Sequence, residues 1–388
     1  MDRCKSNPLQ GGRRGFYGKA ELAEKGIEFF EKEIYMKETD NVREGEKLTA
    51  ISLLRVTAAV AVVFLHSGST LLENPDLFHL TGSQKTFFQI CHMLSVWTVP
   101  CFFMITGCLL LDEKRDLTAK DCVFKYANRM LLTLGVFGIP MAMLILLFET
   151  KSLSFSMLGE AVYMALSGKT LSHLWYLYAM VGIYLVLPLL KRFTDTCSKE
   201  LLDYILIVLF VMDFCIPFFN RLFQLALNFR APLGGYVFYV LCGRRFRDFL
   251  RGGGQKKVFY LLAALGSMAV LLIALTVLYG GQDTIFPYLV DYKSPLTAIY
   301  SVLIFVLFGS LKPRCNRNAL WKLDRLCFGV YLIHPVLIQT VYRVFRITPV
   351  HTGCYPVALF GFAAGFAIAS FLGAWVLSLV KPLKKYIL

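Results

Sequence analysis

The chain has 388 residues, 56% of them hydrophobic and only 17% charged, with a mean hydropathy of +0.58. Soluble domains carry about 25% charged residues, so this balance excludes an ordinary soluble protein and points to a membrane-embedded one. The net charge of +15 follows membrane topology, as its distribution shows below, and no nucleic-acid partner is expected from it.

Residues 1–47 form a highly charged tail without the apolar core of a cleavable signal peptide. Within it, residues 20–38 read as an amphipathic helix on the cytoplasmic side, with Glu28 and Lys32 as an i,i+4 pair. Residues 48–388 then read as one membrane domain. Apolar stretches of spanning length predict helices near 49–71, 86–111, 127–148, 172–190, 201–219, 231–243, 258–279, 295–311, 325–342 and 355–380, the sixth being the shortest. The expected fold is therefore an all-α integral membrane protein of about ten transmembrane helices. No internal repeat of the kind found in inverted-repeat transporters is visible.

Lysine and arginine alternate between the connections. The N-terminal tail, the even-numbered connections and the C-terminal tail hold 32 of them, and the odd-numbered connections hold 8. Arg55 is the remaining one. The positive-inside rule then puts both termini in the cytoplasm. Eleven cysteines lie mostly in apolar stretches with no C-x-x-C spacing, so neither a metal site nor a disulfide framework is expected; buried thiols acting as small hydrophobes account for them.

Arg55 and His66, inside the first apolar segment, are the chief anomaly. A cation in an apolar helix costs roughly 3 kcal/mol even on lenient insertion scales. Eleven positions apart, the two share a helix face at a separation of roughly 16 Å. With the orientation above, Asn128 and Arg129 also lie at the cytoplasmic side, while His173, Trp175 and Tyr176 open the fourth helix at the outer side. Tyr331 and His334 lie near the middle of the ninth. Guanidinium forks suit phosphates and imidazole suits proton transfer near neutral pH. Each also has a plainer reading: Arg55 and Arg129 within snorkelling reach of headgroups, Trp175 as an interfacial belt residue, His334 at a proline kink. Asp213 is an intramembrane carboxylate with no partner evident in the sequence; a structural hydrogen bond is the expectation for it. There is no P-loop and no G-x-S-x-G nucleophile elbow.

Four strings together carry a family resemblance: Arg55 with ten residues before His66; Val99-Pro100-Cys101-Phe102-Phe103-Met104-Ile105-Thr106-Gly107; His173-Leu174-Trp175-Tyr176; and Phe328-Gly329-Val330-Tyr331-Leu332-Ile333-His334. In their order and spacing the chain resembles the acyltransferase-3 family of multi-pass membrane acyltransferases, over about residues 48–380, in the stand-alone form of the O-acetylases of bacterial surface polysaccharides. The resemblance implies a bacterial cytoplasmic (inner) membrane location and transfer of an acyl group, usually acetyl from acetyl-CoA as co-substrate, to a hydroxyl of an envelope glycan or lipid-linked sugar. No bound cofactor is implied. It also implies that Arg55 and His66 are essential. The chain departs from the family pattern at Ser52, where an acidic residue is common, and at Asn128-Arg129, where two basic residues are common. The mechanism expected places the CoA phosphates against Arg55, Arg129 and Asn128, and His66 as general base or transient acyl carrier. His173, Trp175 and Tyr176 then face the acceptor, supported by Tyr331 and His334. A transporter or flippase for a glycan or small anion is the alternative.

Overall fold

A computed structural model describes residues 48–150, 156–170, 172–229, 231, 234–250, 254–282, 285–311 and 315–387. The amphipathic helix expected within residues 20–38 lies outside them. Contacts divide the chain into residues 1–48 and a unit of residues 49–388; the fold below is that of the second unit.

Every element among the described residues is helical. Eight helices are long and apolar enough to cross a membrane. In chain order, the helices are α1 (Leu48–Leu72), α2 (Gly82–Leu110), α3 (Asp121–Leu147), α4 (Ser156–Leu166), α5 (Trp175–Thr196), α6 (Lys199–Leu222), α7 (Tyr236–Arg245), α8 (Gln255–Tyr279), α9 (Pro295–Ser310), α10 (Arg317–Val344) and α11 (Tyr355–Leu379). Short apolar helix α4 occupies the third connection, where no helix was anticipated.

The ten expected segments are thus all present as helices, but two are short. The segment at 231–243 is helical only from Tyr236, and α7 is 10 residues long. At 1.5 Å per residue it rises about 15 Å, half the hydrocarbon thickness. The preceding non-helical backbone is tolerated because the Asp213 carboxylate of α6 accepts the amides of Ala231 (3.2 Å) and Gly235 (3.1 Å). Irregular chain at membrane depth needs such satisfaction, and this is the structural hydrogen bond expected of Asp213. Helix α7 is buried from Val237 to Gly243, clamped antiparallel to α2. An added Cβ on Gly107 would lie 1.8 Å from Val240 O, and one on Gly243 would lie 1.9 Å from Met104 O. Only hydrogen fits at either position, so the two backbones touch.

Caps explain several helix starts. Thr81 and Gln84 form a capping box at α2, and Ser198 Oγ accepts the Leu201 amide at α6. Asn316 Oδ1 accepts the amides of Asn318 (3.0 Å) and Ala319 (3.2 Å). That cap begins α10 eight residues before the apolar segment expected at 325, which brings Asp324 and Arg325 inside the helix.

The basic connections meet at one end of the bundle. There Arg245 forks onto Asp203 at 2.6 and 2.8 Å, Arg244 pairs with Glu113, and Arg247 pairs with Asp112. The principal core draws on α1, α2, α5, α6, α7 and α9. A second core joins α1 and α2 to α10 and α11. Helix α1 stands between them: Ile51, Leu54, Ala58 and Val62 face the first, and Val63 and Leu71 face the second. Helix α8, by contrast, exposes Phe259, Val270 and Leu278 along its length, as a lipid-facing helix does.

Candidate functional site

Along this seam runs a cavity of about 430 Å³. Arg55, Val62 and His66 enter it from α1; their spacings of seven and four keep them on one helix face. Arg129 enters from α3, His173 from the 3₁₀ turn before α5, Trp175 and Tyr176 from the first turn of α5, and Tyr331 from α10. Seven of the nine residues singled out in the sequence therefore line one space. His334 is fully buried just behind the wall. Asn128 is exposed and is not among the lining residues, which corrects its expected place beside Arg129. Adjacent residues on a helix point about 100° apart, and only Arg129 faces inward.

One end of the cavity is dense in guanidinium groups: Arg55, Arg115, Arg129 and Arg325, with Asp324 among them. Arg55 Nη1 donates to both oxygens of Asp324, at 2.6 and 2.8 Å, and Ser52 Oγ donates to Oδ2 at 2.8 Å. Rather than snorkelling, Arg55 is held by a carboxylate on another helix. Arg129 Nε donates to Ile387 O at 2.6 Å, and its guanidinium lies 5.1 Å from the Phe328 ring. Arg115 Nη2 donates to the Tyr126 hydroxyl at 2.5 Å. A π-helical turn, Asp121–Ala127, precedes Arg129; such turns re-aim side chains and recur at functional sites. Among the described residues that line this end, four are arginines and one is an aspartate, a setting for a polyanion.

The other end gathers three imidazoles. The His66 ring lies 5.2 Å from that of His334 and 6.5 Å from that of His173, and the latter two are 5.9 Å apart. His334 Nδ1 sits 2.9 Å from Val330 O. A carbonyl only accepts, so Nδ1 carries the proton and Nε2 is left as an acceptor. That Nε2, and Nε2 of His173, are buried without a hydrogen-bond partner among the described residues. Tyr331 donates its hydroxyl to His173 O at 2.8 Å, which ties the turn carrying His173 to α10. An aromatic wall closes the end: Tyr176 lies 5.6 Å from Tyr331, and Trp175 lies 5.2 Å from Tyr292. Among the described residues, no group of three or more His, Cys, Asp or Glu side chains is placed to hold a metal ion.

The sequence reading missed Asp324, Arg115, Arg325, Tyr126, Tyr184 and Tyr292, all of which line the cavity. Asp324 had a signal. A buried arginine requires a carboxylate at its depth, and Asp324 stands at the edge of a predicted span.

Compared with known proteins, the chain matches no curated protein and no solved structure. The family model for the acyltransferase domain of acyltransferase-3 proteins does match, over residues 48–379. That stretch holds all of α1 through α11 and every residue of the cavity, so the protein is a multi-pass membrane acyltransferase by membership: the chain belongs to the acyltransferase-3 family.

Proposed function

We propose that the cavity is the route along which an acyl-CoA donor meets a sugar hydroxyl, with acetyl as the transferred group. One observation carries this reading: a four-arginine end and an end carrying His66 and His173, with His334 buried behind them, belong to the same cavity. The roughly 16 Å between Arg55 and His66 along α1 is comparable with a pantetheine arm. The phosphates of CoA would sit at Arg115, Arg129 and Arg325, with Arg55 positioned by Asp324 at the edge of that cluster. The thioester then reaches the histidine end.

There the acceptor hydroxyl enters past Trp175 and Tyr176. His66 takes the hydroxyl proton as the alkoxide oxygen attacks the thioester carbonyl carbon. A C–O bond forms, the C–S bond breaks, and the departing thiolate takes the proton back from the imidazolium. General base catalysis of this kind contributes typically ~10²–10⁴-fold. The His334 ring, 5.2 Å from that of His66, brings an Nε2 acceptor, unpaired among the described residues, that can steady the charge developing on His66. The positive-inside rule applied to the basic connections supports an arginine end at the cytoplasmic face, where acyl-CoA is found, and a histidine end toward the outer face, where envelope glycans or lipid-linked sugars are presented. A bacterial inner membrane fits this arrangement.

Sealed vesicles of known orientation test it. Inside-out vesicles, with the cytoplasmic face outward, are expected to transfer label from added radioactive acetyl-CoA, and right-side-out vesicles are not. Transfer by right-side-out vesicles alone would overturn the assigned donor side.

A further inference from the structure

A second cavity, of about 420 Å³, lies across the aromatic wall at the histidine end; this is within the roughly 300–1,000 Å³ typical of small-molecule pockets. The two share the segment 291–294: Tyr292 lines the first, while Asp291, Lys293 and Ser294 line the second. Trp175 stands at the partition, 5.2 Å from the rings of both Tyr236 and Tyr292.

We propose that this second cavity binds a neutral, polyhydroxylated sugar unit. Its role as a subsite for a neighbouring unit of the acceptor rests on the acyl-transfer reading above.

The cavity is built. Asp213 is fixed on its wall by the amides of Ala231 and Gly235, and a Cβ on Gly234 would lie 1.9 Å from Asp213 Oδ2. The backbone thus presses against the carboxylate. An ionised carboxylate has about four lone-pair sites, so two amides leave capacity for hydroxyl donors. Asp291 supplies a second carboxylate, Oδ1 of which accepts the Lys293 amide at 2.8 Å.

Ser294 points to a ligand independently. It is 2% exposed, and its Oγ has no hydrogen-bond partner among the described residues. It occupies the N-cap of α9, where a serine hydroxyl ordinarily accepts an amide, yet it makes no such bond. A buried, unpaired hydroxyl is destabilising, and a ligand hydroxyl in the cavity removes that cost.

The charge balance selects the class of ligand. Among the described residues, the lining carries two carboxylates and the ammonium of Lys293, and the Arg221 guanidinium lies 4.7 Å from the ring of Tyr288; this set holds no cationic excess to draw an anion, in contrast with the arginine end of the first cavity. Tyr288 and Phe218 add apolar surface of the kind on which sugar rings lie. Hydroxyls that both donate and accept, on a ring with an apolar face, match this set.

The test uses the full chain in nanodiscs and a panel of fluorescently labelled di- and trisaccharides of common neutral hexoses, deoxyhexoses and N-acetylhexosamines. Fluorescence polarisation reads binding. Asp291→Asn keeps the local acceptor and removes the charge; Ser294→Ala removes a hydroxyl that caps nothing. Thermal unfolding confirms that each variant is folded. At least one saccharide is expected to bind wild type and His66→Ala equally, and the two cavity variants about tenfold more weakly. Failure of every saccharide to bind folded wild type, or binding indifferent to both substitutions, would overturn the proposal. Cavity-dependent binding by protein that transfers no acetyl from added acetyl-CoA would keep the site and remove its role beside acetyl transfer instead.

Discussion

Arg55 on α1 and Asp324 on α10 form the ion pair that organises the cationic end of the cavity, Nη1 lying 2.6 Å from Oδ1. The side chains are 26% and 14% exposed, so the pair is neither a surface bridge nor a fully desolvated one. Ser52, one turn before Arg55 and on the same face, donates to the same carboxylate. At Ser52, where the resemblance leads to the expectation of an acidic residue, the carboxylate facing Arg55 comes instead from another helix.

This relation has a direct consequence. Asp324→Ala is expected to lower stability by about 1–3 kcal/mol, between the values for exposed and buried pairs whose partner is removed. Returning the carboxylate to α1, with Ser52→Asp and Asp324→Ser together, is expected to recover most of the loss. Unfolding midpoints of the single and double variants check it; a double variant no better than Asp324→Ala would show that the carboxylate's helix of origin matters more than its charge.

The other arginines of the cavity have a different signature. Arg115→Gln, Arg129→Gln or Arg325→Gln is expected to raise the apparent KM for acetyl-CoA roughly tenfold, the scale of one charge-assisted hydrogen bond. The KM for acceptor stays near wild type. Initial-rate measurements over donor and acceptor concentration separate the two.

Tyr331→Phe removes the 2.8 Å bond to His173 O while keeping the aromatic contacts. The expected result is a several-fold fall in kcat with donor KM unchanged, and a stability loss of about 1 kcal/mol. Steady-state kinetics beside thermal unfolding would show it.

The backbone contact of α2 with α7 leaves no room for a methyl group. Gly107→Ala and Gly243→Ala are expected to abolish the folded protein, because the added Cβ meets main-chain atoms that cannot turn aside. Gly266→Ala, on α8 with nothing within 4 Å of the added carbon, is the matched control and is expected to behave as wild type. Size-exclusion profiles of the three report the outcome.

Much of this arrangement was legible in the residues because a membrane penalises polar groups so heavily. Arg55 and His66 stood out against an apolar helix, and hydropathy with charge alternation located the long helices. What escaped has physical reasons too. That α7 would be short is visible in the sequence, but not that its surroundings are protein, with Asp213 satisfying the irregular chain before it, because hydropathy cannot tell buried from lipid-facing. Asp324 and Arg325 looked like a helix boundary, since nothing local announces a partner 269 positions away. Asn128 was drawn in by adjacency to Arg129, which along a helix is no guide to direction.

Acyl transfer at His66, as proposed above, stands or falls on one comparison. Membranes containing wild-type protein or His66→Ala, matched for folded protein, are incubated with radioactive acetyl-CoA and cell-envelope glycan. Wild type is expected to label the glycan fraction and His66→Ala to leave it unlabelled, a fall of at least ~10²-fold. Undiminished labelling by folded His66→Ala would contradict the account.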